Sequence, residues 1–521
     1  MKKIRHIGFK NFRKFTELQQ LSLGNLTLMT GGNNSGKSTI VKAALLVLNF
    51  LQKRKITMEQ KGLLGFEEER KFFFDMPNVH ISSFERAINN SCAPASDKIV
   101  FCMGIDNFNF EIEVIAAKDP KKTYGSTSVI KIEDTKESIV YRFDFVNYMM
   151  YITFVAPERE ESASVLSLDE LNAEVNKLKA KVKETQDFAE IAKINMRLAD
   201  VEKSIKSLST TTTLENKEIG FTLSSFPTST ENYAITDLLK SFILVCHEDI
   251  NDKSAKDAKT YILGKEKNIQ SSINSMTTIL RDMHIEYISA HAASQNAVFT
   301  SFDKNDYTAQ TIHSFVKADI KTEKGNRFFD FIMEWMDSFE IGESINIETL
   351  ANEAYSVRII DKQRSMPLAD KGMGSIQLMT LLLRLATLMK VYQYASIKPT
   401  ILIEEPEQNL HPATQSKLAV MFDEVRAAGF NVIVETHSEY FVRKMQHVVA
   451  SRIKKDGVNL YEINDDVKVY FFFKELGEEE MQSTPISMDF QENGRFVNNF
   501  GTGFFDEALR LNRDLNKIER E

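Results

Sequence analysis

The chain has 521 residues, 43% of them hydrophobic and 26% charged, an ordinary globular composition with length for roughly two to four domains. Its 65 Lys and Arg against 73 Asp and Glu leave a net charge of −8, which excludes a polycation that coats nucleic acid over its whole surface and makes any DNA contact local. Cys92, Cys102 and Cys246 form no CxxC pair, which argues against a disulfide framework or a structural zinc site and fits a reducing compartment, the cytoplasm.

The basic start, Met1 to Lys10, runs into polar residues, so no export signal is expected. The apolar stretch Ala43–Leu51 is far shorter than the ~20 residues of a bilayer span, so a soluble protein with no membrane contact is predicted. The first forty residues pair a strand at Ile4–Phe9 with a second at Leu26–Thr30, which runs into Gly31-Gly32-Asn33-Asn34-Ser35-Gly36-Lys37-Ser38-Thr39 and an apolar helix, Ile40–Leu51. This satisfies G-x-x-x-x-G-K-[ST] in its strand-loop-helix context. Small residues let successive backbone N–H groups converge on a phosphate at a helix N-terminus. Gly31, Asn33, Asn34, Ser35 and Gly36 are therefore read as an ATP cradle. Lys37 would reach the β and γ phosphates, Ser38 would ligate Mg²⁺, and Thr39 would support the α-phosphate side.

From Lys98 to Val155, alternating runs such as Phe108–Val114 and Ser138–Phe143 predict a β-rich lobe of antiparallel strands. Between Leu168 and Leu208, apolar residues fall at alternating steps of three and four in two arms whose phase breaks between Val182 and Ile191. This predicts a short helical hairpin with its turn at Lys183–Asp187, closed by the polar stretch Ser207–Thr213. Residues 235–395 read as mostly helical. Within them, Asp370-Lys371-Gly372-Met373-Gly374-Ser375-Ile376-Gln377 opens a long apolar helix, Leu378–Met389, a second helix start suited to a phosphate.

From Thr400 the pattern alternates strand and helix: Ile401–Ile403, Gln415–Arg426, Val432–Val434, Tyr440–Val449, Val467–Phe473. That predicts a mainly parallel sheet covered by helices. The strand Thr400–Ile403 ends in Glu404-Glu405-Pro406-Glu407. Strand alternation keeps Glu404 and Glu405 from pointing the same way, so Glu404 is assigned to Mg²⁺ through water and Glu405 to polarising the attacking water. Val432–Val434 ends in Glu435-Thr436-His437-Ser438, and His437 is placed at the γ-phosphate. The other histidines lack ligand spacing, so no metal beyond Mg²⁺ is predicted. The basic clusters Lys53–Lys55, Lys177–Lys183 and Arg452–Lys455 read as solvated faces.

A phosphate loop near the start, then far downstream D-x-G-x-G-x-x-Q, E-E-P-E and T-H-S, resembles an ABC-class ATPase of the RecF/SMC/OLD group, in particular the AAA15-type prokaryotic ATPases with a DUF3696 tail. The resemblance covers residues 1–50 and 365–510, and Ile7–Phe15 is similar to the first strand of that group. Phe500–Glu507 resembles the G-F-F-D-E segment of DUF3696 tails. The resemblance implies an α/β fold: an ABC-type P-loop ATPase head with a mixed sheet, a β-rich lobe and a helical or short coiled-coil insertion. The divisions expected are 1–155, 156–215, a helical lobe at 216–365, and 366–521.

In such ATPases the signature helix of one subunit caps the ATP of another. Gly374, Ser375 and Gln377 are accordingly carried over as γ-phosphate contacts supplied in trans, and Glu404, Glu405 and His437 as Walker B acid, catalytic carboxylate and switch histidine. His411 stands where transporter relatives have Asp, and Gln52 reads as a solvated helix end, so no Q-loop glutamine is assigned. The resemblance further implies a homo-oligomer, at least a dimer of heads. Its setting would be antiphage defence of the Septu-like, PARIS-like or retron-associated kind, with a separate HNH or Toprim nuclease effector and DNA or a phage protein as possible partners. The rivals are a RecF-like DNA repair ATPase, a nucleotide-locked scaffold with little turnover, and a transporter engine, which the roughly 360 residues between loop and carboxylates disfavour. Residues 438–521 carry no metal-carboxylate cluster, so no nuclease is expected in this chain.

Overall fold

A computed structural model gives the fold for residues 3–52, 70–155, 168–184, 216–222, 260–474 and 483–500, less 95, 119–122, 217, 351–352 and 363, with scattered positions at 194, 197–198, 201, 510–511 and 513. Cys246, Lys53–Lys55, Ser207–Thr213, Gly501–Glu507 and most of Ile191–Leu208 lie outside the described residues.

The site is built on a six-stranded sheet in the order Ile285–Ile288, Thr400–Glu404, Asn431–Thr436, Leu26–Gly31, Val467–Lys474, Ser483–Ser487. The first five strands are parallel and the last is antiparallel. Leu26–Gly31 and Asn431–Thr436 are buried at every position. Parallel strands are covered on both faces, which is why these segments read as near-continuous apolar runs. Leu402, Ile433 and Met29 join the core beneath the helix Lys37–Gln52. Ile401, Ile403, Val432, Val434 and Leu28 join the opposite core, with the helices Met373–Val391, Pro412–Ala427 and Glu439–Asp456. Parallel strands all end at the same edge of the sheet, so the loops that leave their C-terminal ends gather there. The glycine-rich loop, the E-E-P-E turn and the T-H-S turn therefore meet at that edge although hundreds of residues separate them.

The β-rich lobe is a nine-stranded sheet running Ile219–Thr222, Met149–Phe154, Ile139–Asp144, Tyr124–Asp134, Phe108–Ala116, Ile99–Ile105, Ile4–Lys10, Gln19–Ser22, with Lys71–Phe73 beside Tyr124–Asp134. Its strands alternate buried and half-buried positions, as in Phe108–Ala116, the mark of an antiparallel sheet with one covered face. Ile4–Lys10 pairs with Gln19–Ser22 and Ile99–Ile105. The expected pairing with Leu26–Thr30 is thus wrong, because Gln19–Ser22 takes that edge while offering only Leu21 to the core. Ile219–Thr222 pairs with Met149–Phe154, so this strand belongs with the β-rich sheet.

Leu168–Glu184 is helical, and Arg197 Nη2 lies 2.9 Å from Glu174 Oε1. Residues 23 apart on one straight helix would sit about 34 Å from each other, so Glu174 and Arg197 do not lie on one straight helix; the turn expected at Lys183–Asp187 lies mostly outside the described residues. The mostly helical reading of 235–395 needs correction: Phe299–Thr300, Ser344–Leu350, Ala354–Asp361 and Arg364–Pro367 make a four-stranded antiparallel sheet. Its signal was present in the sequence, since Tyr355, Val357 and Ile359 repeat at period two and all are buried.

Met373–Val391 is long and apolar enough to cross a bilayer by length alone, but 67% of that stretch is buried inside the fold, and an all-round apolar helix of this kind is a core helix. Gln52 is not a solvated helix end. Its Nε2 donates to Leu280 O at 2.9 Å and to Met283 O, tying the first helix to the end of Glu266–Asp282.

Candidate active site

The glycine-rich loop takes its shape from backbone freedom and close approach. Gly36 has φ +101°, and a Cβ there would meet the Phe15 ring at 2.5 Å. Asn34 also has positive φ, +58°, which Asn tolerates better than most side chains. Gly36→Ala should therefore distort the loop and lower nucleotide affinity at least about tenfold, through backbone strain of about 1–3 kcal/mol plus the ring clash, as measured by titration of a fluorescent ATP analogue. Gly32 has no such constraint, since a methyl group there would point into open space, and Gly32→Ala serves as the neutral control.

Lys37 begins the first helix and is 3% exposed. Its Nζ donates to Gly31 O and Gly32 O, each at 3.0 Å. Burial lowers its pKa, opposed by the carboxylates of Glu435, Glu405 and Glu407. Ser38 Oγ donates to Glu435 Oε1 at 2.9 Å, and Thr39 and Ser35 are buried beside it.

Glu404 closes its strand and stands in register with Glu435 on the neighbouring strand. Residues paired across strands share a face, so two carboxylates lie side by side beneath the first helix. Glu404 Oε2 accepts a 2.6 Å hydrogen bond from Tyr287 Oη. Burial, reinforced by the Glu404 and Glu405 charges, raises the Glu435 carboxyl to about 7 against the pull of Lys37 and the Ser38 hydroxyl. Glu435 Oε2, Ser35 Oγ and Thr30 Oγ1 are buried without a hydrogen-bond partner.

Glu405 lies just past the strand with φ +42°, strained for a residue with a Cβ and of the kind that collects at functional sites. Its N–H donates to Glu435 O at 2.8 Å. Its Oε2 accepts from Gln408 Nε2 at 2.6 Å, and its Oε1 lies 3.5 Å from His437 Nε2. The His437 N–H donates to Glu407 Oε1 at 2.6 Å. Burial and the charge of Lys37 lower the His437 pKa, with Glu405 opposing, and burial raises that of Glu407.

Gly374, Ser375 and Gln377 lie in the first turns of Met373–Val391. A Cβ on Gly374 would meet Asn409 O at 2.6 Å, so glycine lets this helix start press against the turn beyond the carboxylates. Gln377 Nε2 donates to Pro406 O at 3.4 Å. Within one chain Gln377 thus touches the E-E-P-E turn and Gly374 the residues just beyond it. His411 caps the helix Pro412–Ala427, accepting from Ala413 N.

Ser38, Glu405 and His437 thus meet at one edge of the sheet, while Glu404 is turned toward Tyr287. Sequence reasoning missed Glu435, Glu407 and Tyr287. Glu435 was visible as an acid ending a buried run, but only the strand order reveals that its neighbour is the phosphate loop. A hydroxyl beside carboxylates, one with an unpartnered buried oxygen, is an all-oxygen donor set suited to Mg²⁺. A glycine loop at a helix N-terminus suits a phosphate.

A family model described as AAA ATPase domain matches residues 1–442, and one described as protein of unknown function DUF3696 matches residues 463–515. No curated protein matches. The Smc head domain of Pyrococcus furiosus bound to the C-terminal domain of ScpA aligns over 99% of this chain and 100% of its own, with 11% identity and a TM-score of 0.32. The SMC head domain from Thermotoga maritima aligns over 93% and 99%, with 10% identity and a TM-score of 0.32.

Proposed function

Because the chain belongs to the AAA ATPase domain family, whose model spans residues 1–442, we propose that it binds ATP at the Gly31–Thr39 loop and hydrolyses it between two copies of itself. One observation carries this reading: the Ser38 hydroxyl meets Glu435 at 2.9 Å although the two stand 397 positions apart in sequence, with Glu405 and His437 beside them. The loop N–H groups and Lys37 hold the phosphates, and Lys37 exchanges its two carbonyl partners for phosphate oxygens. Mg²⁺, when bound, would be held by Ser38 with Glu435 and Glu404 and would supply charge neutralisation on the phosphate oxygens. Glu405 orients and deprotonates the attacking water, and His437 holds the terminal phosphate.

Gly374, Ser375 and Gln377 reach the nucleotide only from a second copy, and the exposed Gly372 and Met373 before them leave that helix start open to one. The test is the mass in solution by light scattering. Wild type and Glu405→Gln should run as heavier species with MgATP than without, and Ser375→Arg should abolish the shift while ATP still binds. An unchanged mass with saturating MgATP would sink the shared-site reading.

The motif order also supports the biological setting of a prokaryotic defence ATPase that licenses a separate HNH or Toprim nuclease. Loss of phage resistance on Lys37→Ala in cells carrying the neighbouring genes tests it. Salt-sensitive, ATP-dependent DNA binding by the isolated protein would favour the RecF-like alternative.

A further inference from the structure

We propose that, without nucleotide, Glu405, Glu435 and His437 form a binding site for a divalent transition cation of the Zn²⁺ class, which shares Glu435 with the Mg²⁺ site at Ser38 and adds the Glu405 carboxylate and the His437 imidazole. One ligand atom from each residue lies within 4.8 Å of the others. The His437 Nε2 to Glu405 Oε1 separation is 3.5 Å, and two ligands of a tetrahedral zinc at about 2.1 Å each stand about 3.4 Å apart. Each residue has an oxygen or nitrogen to give. Glu405 spends Oε2 on Gln408 and turns Oε1 to the imidazole. Glu435 gives Oε1 to the Ser38 hydroxyl and keeps Oε2 buried without a partner, in a residue only 4% exposed.

That orphaned oxygen, which the nucleotide-bound state would give to Mg²⁺, is a second sign that a cation is missing when no nucleotide is present. A desolvated carboxylate oxygen without a donor is costly, and a cation removes the cost. Access comes from the outer side, where the side chains of Glu405 and His437 are 31% and 29% exposed.

The imidazole decides the class of ion. Mg²⁺ takes oxygen ligands and keeps its waters, whereas imidazole with carboxylates suits zinc and its first-row neighbours. Three protein ligands with an open fourth position is also the usual arrangement of a reactive zinc.

Such an ion would pin together the two groups assigned to the water and the terminal phosphate, so ZnCl₂ should inhibit ATP hydrolysis and a chelator should restore it. That consequence rests on the proposed function; the site itself does not. Equilibrium dialysis of the nucleotide-free full chain against ZnCl₂, with metal analysis, should show one tight Zn²⁺ per chain. His437→Gln and Glu435→Gln should each weaken it at least about tenfold, since even outer-sphere changes cost that much at metal sites. Both keep the side chain's approximate size, and melting curves identify a variant that does not fold.

No tight Zn²⁺ on wild type overturns the proposal, as does tight Zn²⁺ that both folded variants retain, which would place the ion elsewhere, for instance at Cys92 or Cys102. Variant-sensitive binding without inhibition supports the site and counts against the ATP reading.

Discussion

Glu405→Gln should lower steady-state ATP hydrolysis by roughly 10²–10⁴-fold, the usual worth of a positioned general base, while leaving nucleotide binding intact. The geometry makes this a clean test. Glutamine has the same Cβ and nearly the same shape, so the backbone at φ +42° is no more strained than before, and the residue's N–H bond to Glu435 O is untouched. The side-chain oxygen still accepts from Gln408. What disappears is a carboxylate able to take a proton, one whose Oε1 lies 3.5 Å from His437 Nε2. The readout is phosphate release beside ATP affinity on the same preparation. Loss of turnover with unchanged or tighter binding supports the assignment. A wild-type rate in the variant removes Glu405 from the chemistry and points to Glu435, the carboxylate that accepts from the Ser38 hydroxyl. Equally negligible rates in both proteins, with ATP bound, would make the chain a nucleotide-locked scaffold.

Much of this arrangement was legible in the sequence because the central strands are buried on both faces. Leu26–Gly31, Thr400–Glu404 and Asn431–Thr436 carry their apolar content as continuous runs, and each ends in the residues that collect at the sheet edge. The phosphate loop was legible for a different reason: backbone positions such as Gly36 admit almost nothing but glycine. The hidden part depends on strand order. No local pattern tells that Asn431–Thr436 inserts between the carboxylate strand and the loop strand, and only that insertion sets Glu435 against Ser38 and beside Glu404. Tyr287 was hidden likewise, because its strand reaches the carboxylates from residue 285, on the far side of the insertion. The small sheet at 344–367 was missed through weight given to the helices around it, although its period-two pattern is clear.

Glu286→Ala should destabilise the protein by about 3–5 kcal/mol, the cost of removing one partner of a buried ion pair and stranding the other. Glu286 is 5% exposed. It receives Arg384 Nε at 2.7 Å and Nη2 at 2.5 Å, and Tyr307 Oη at 2.9 Å. Burial pushes its carboxyl up, but His284, the charge and hydrogen bonds of Arg384 and the Tyr307 hydroxyl together outweigh it and hold the pKa at about 2, below the ordinary 4.5. A depressed acid contributes stability that is fully present above its unfolded pKa and is lost as pH falls through the folded one. The melting temperatures of wild type and Glu286→Ala should therefore differ most at neutral pH and converge as pH drops from about 4.5 toward 2. A gap independent of pH would assign the loss to packing alone. Replacing both partners, as in Glu286→Leu with Arg384→Met, should recover part of the stability, since no buried charge is left unpaired. The pair also bears on the site. Arg384 belongs to the helix that begins at Gly374, Ser375 and Gln377, and the residue after Glu286 is Tyr287, whose hydroxyl holds Glu404. Adjacent residues of a strand face opposite ways, so one short strand grips the helix Met373–Val391 on one side and Glu404 on the other. Glu286→Ala is thus expected to loosen both grips at once, and the double replacement to restore stability better than it restores turnover.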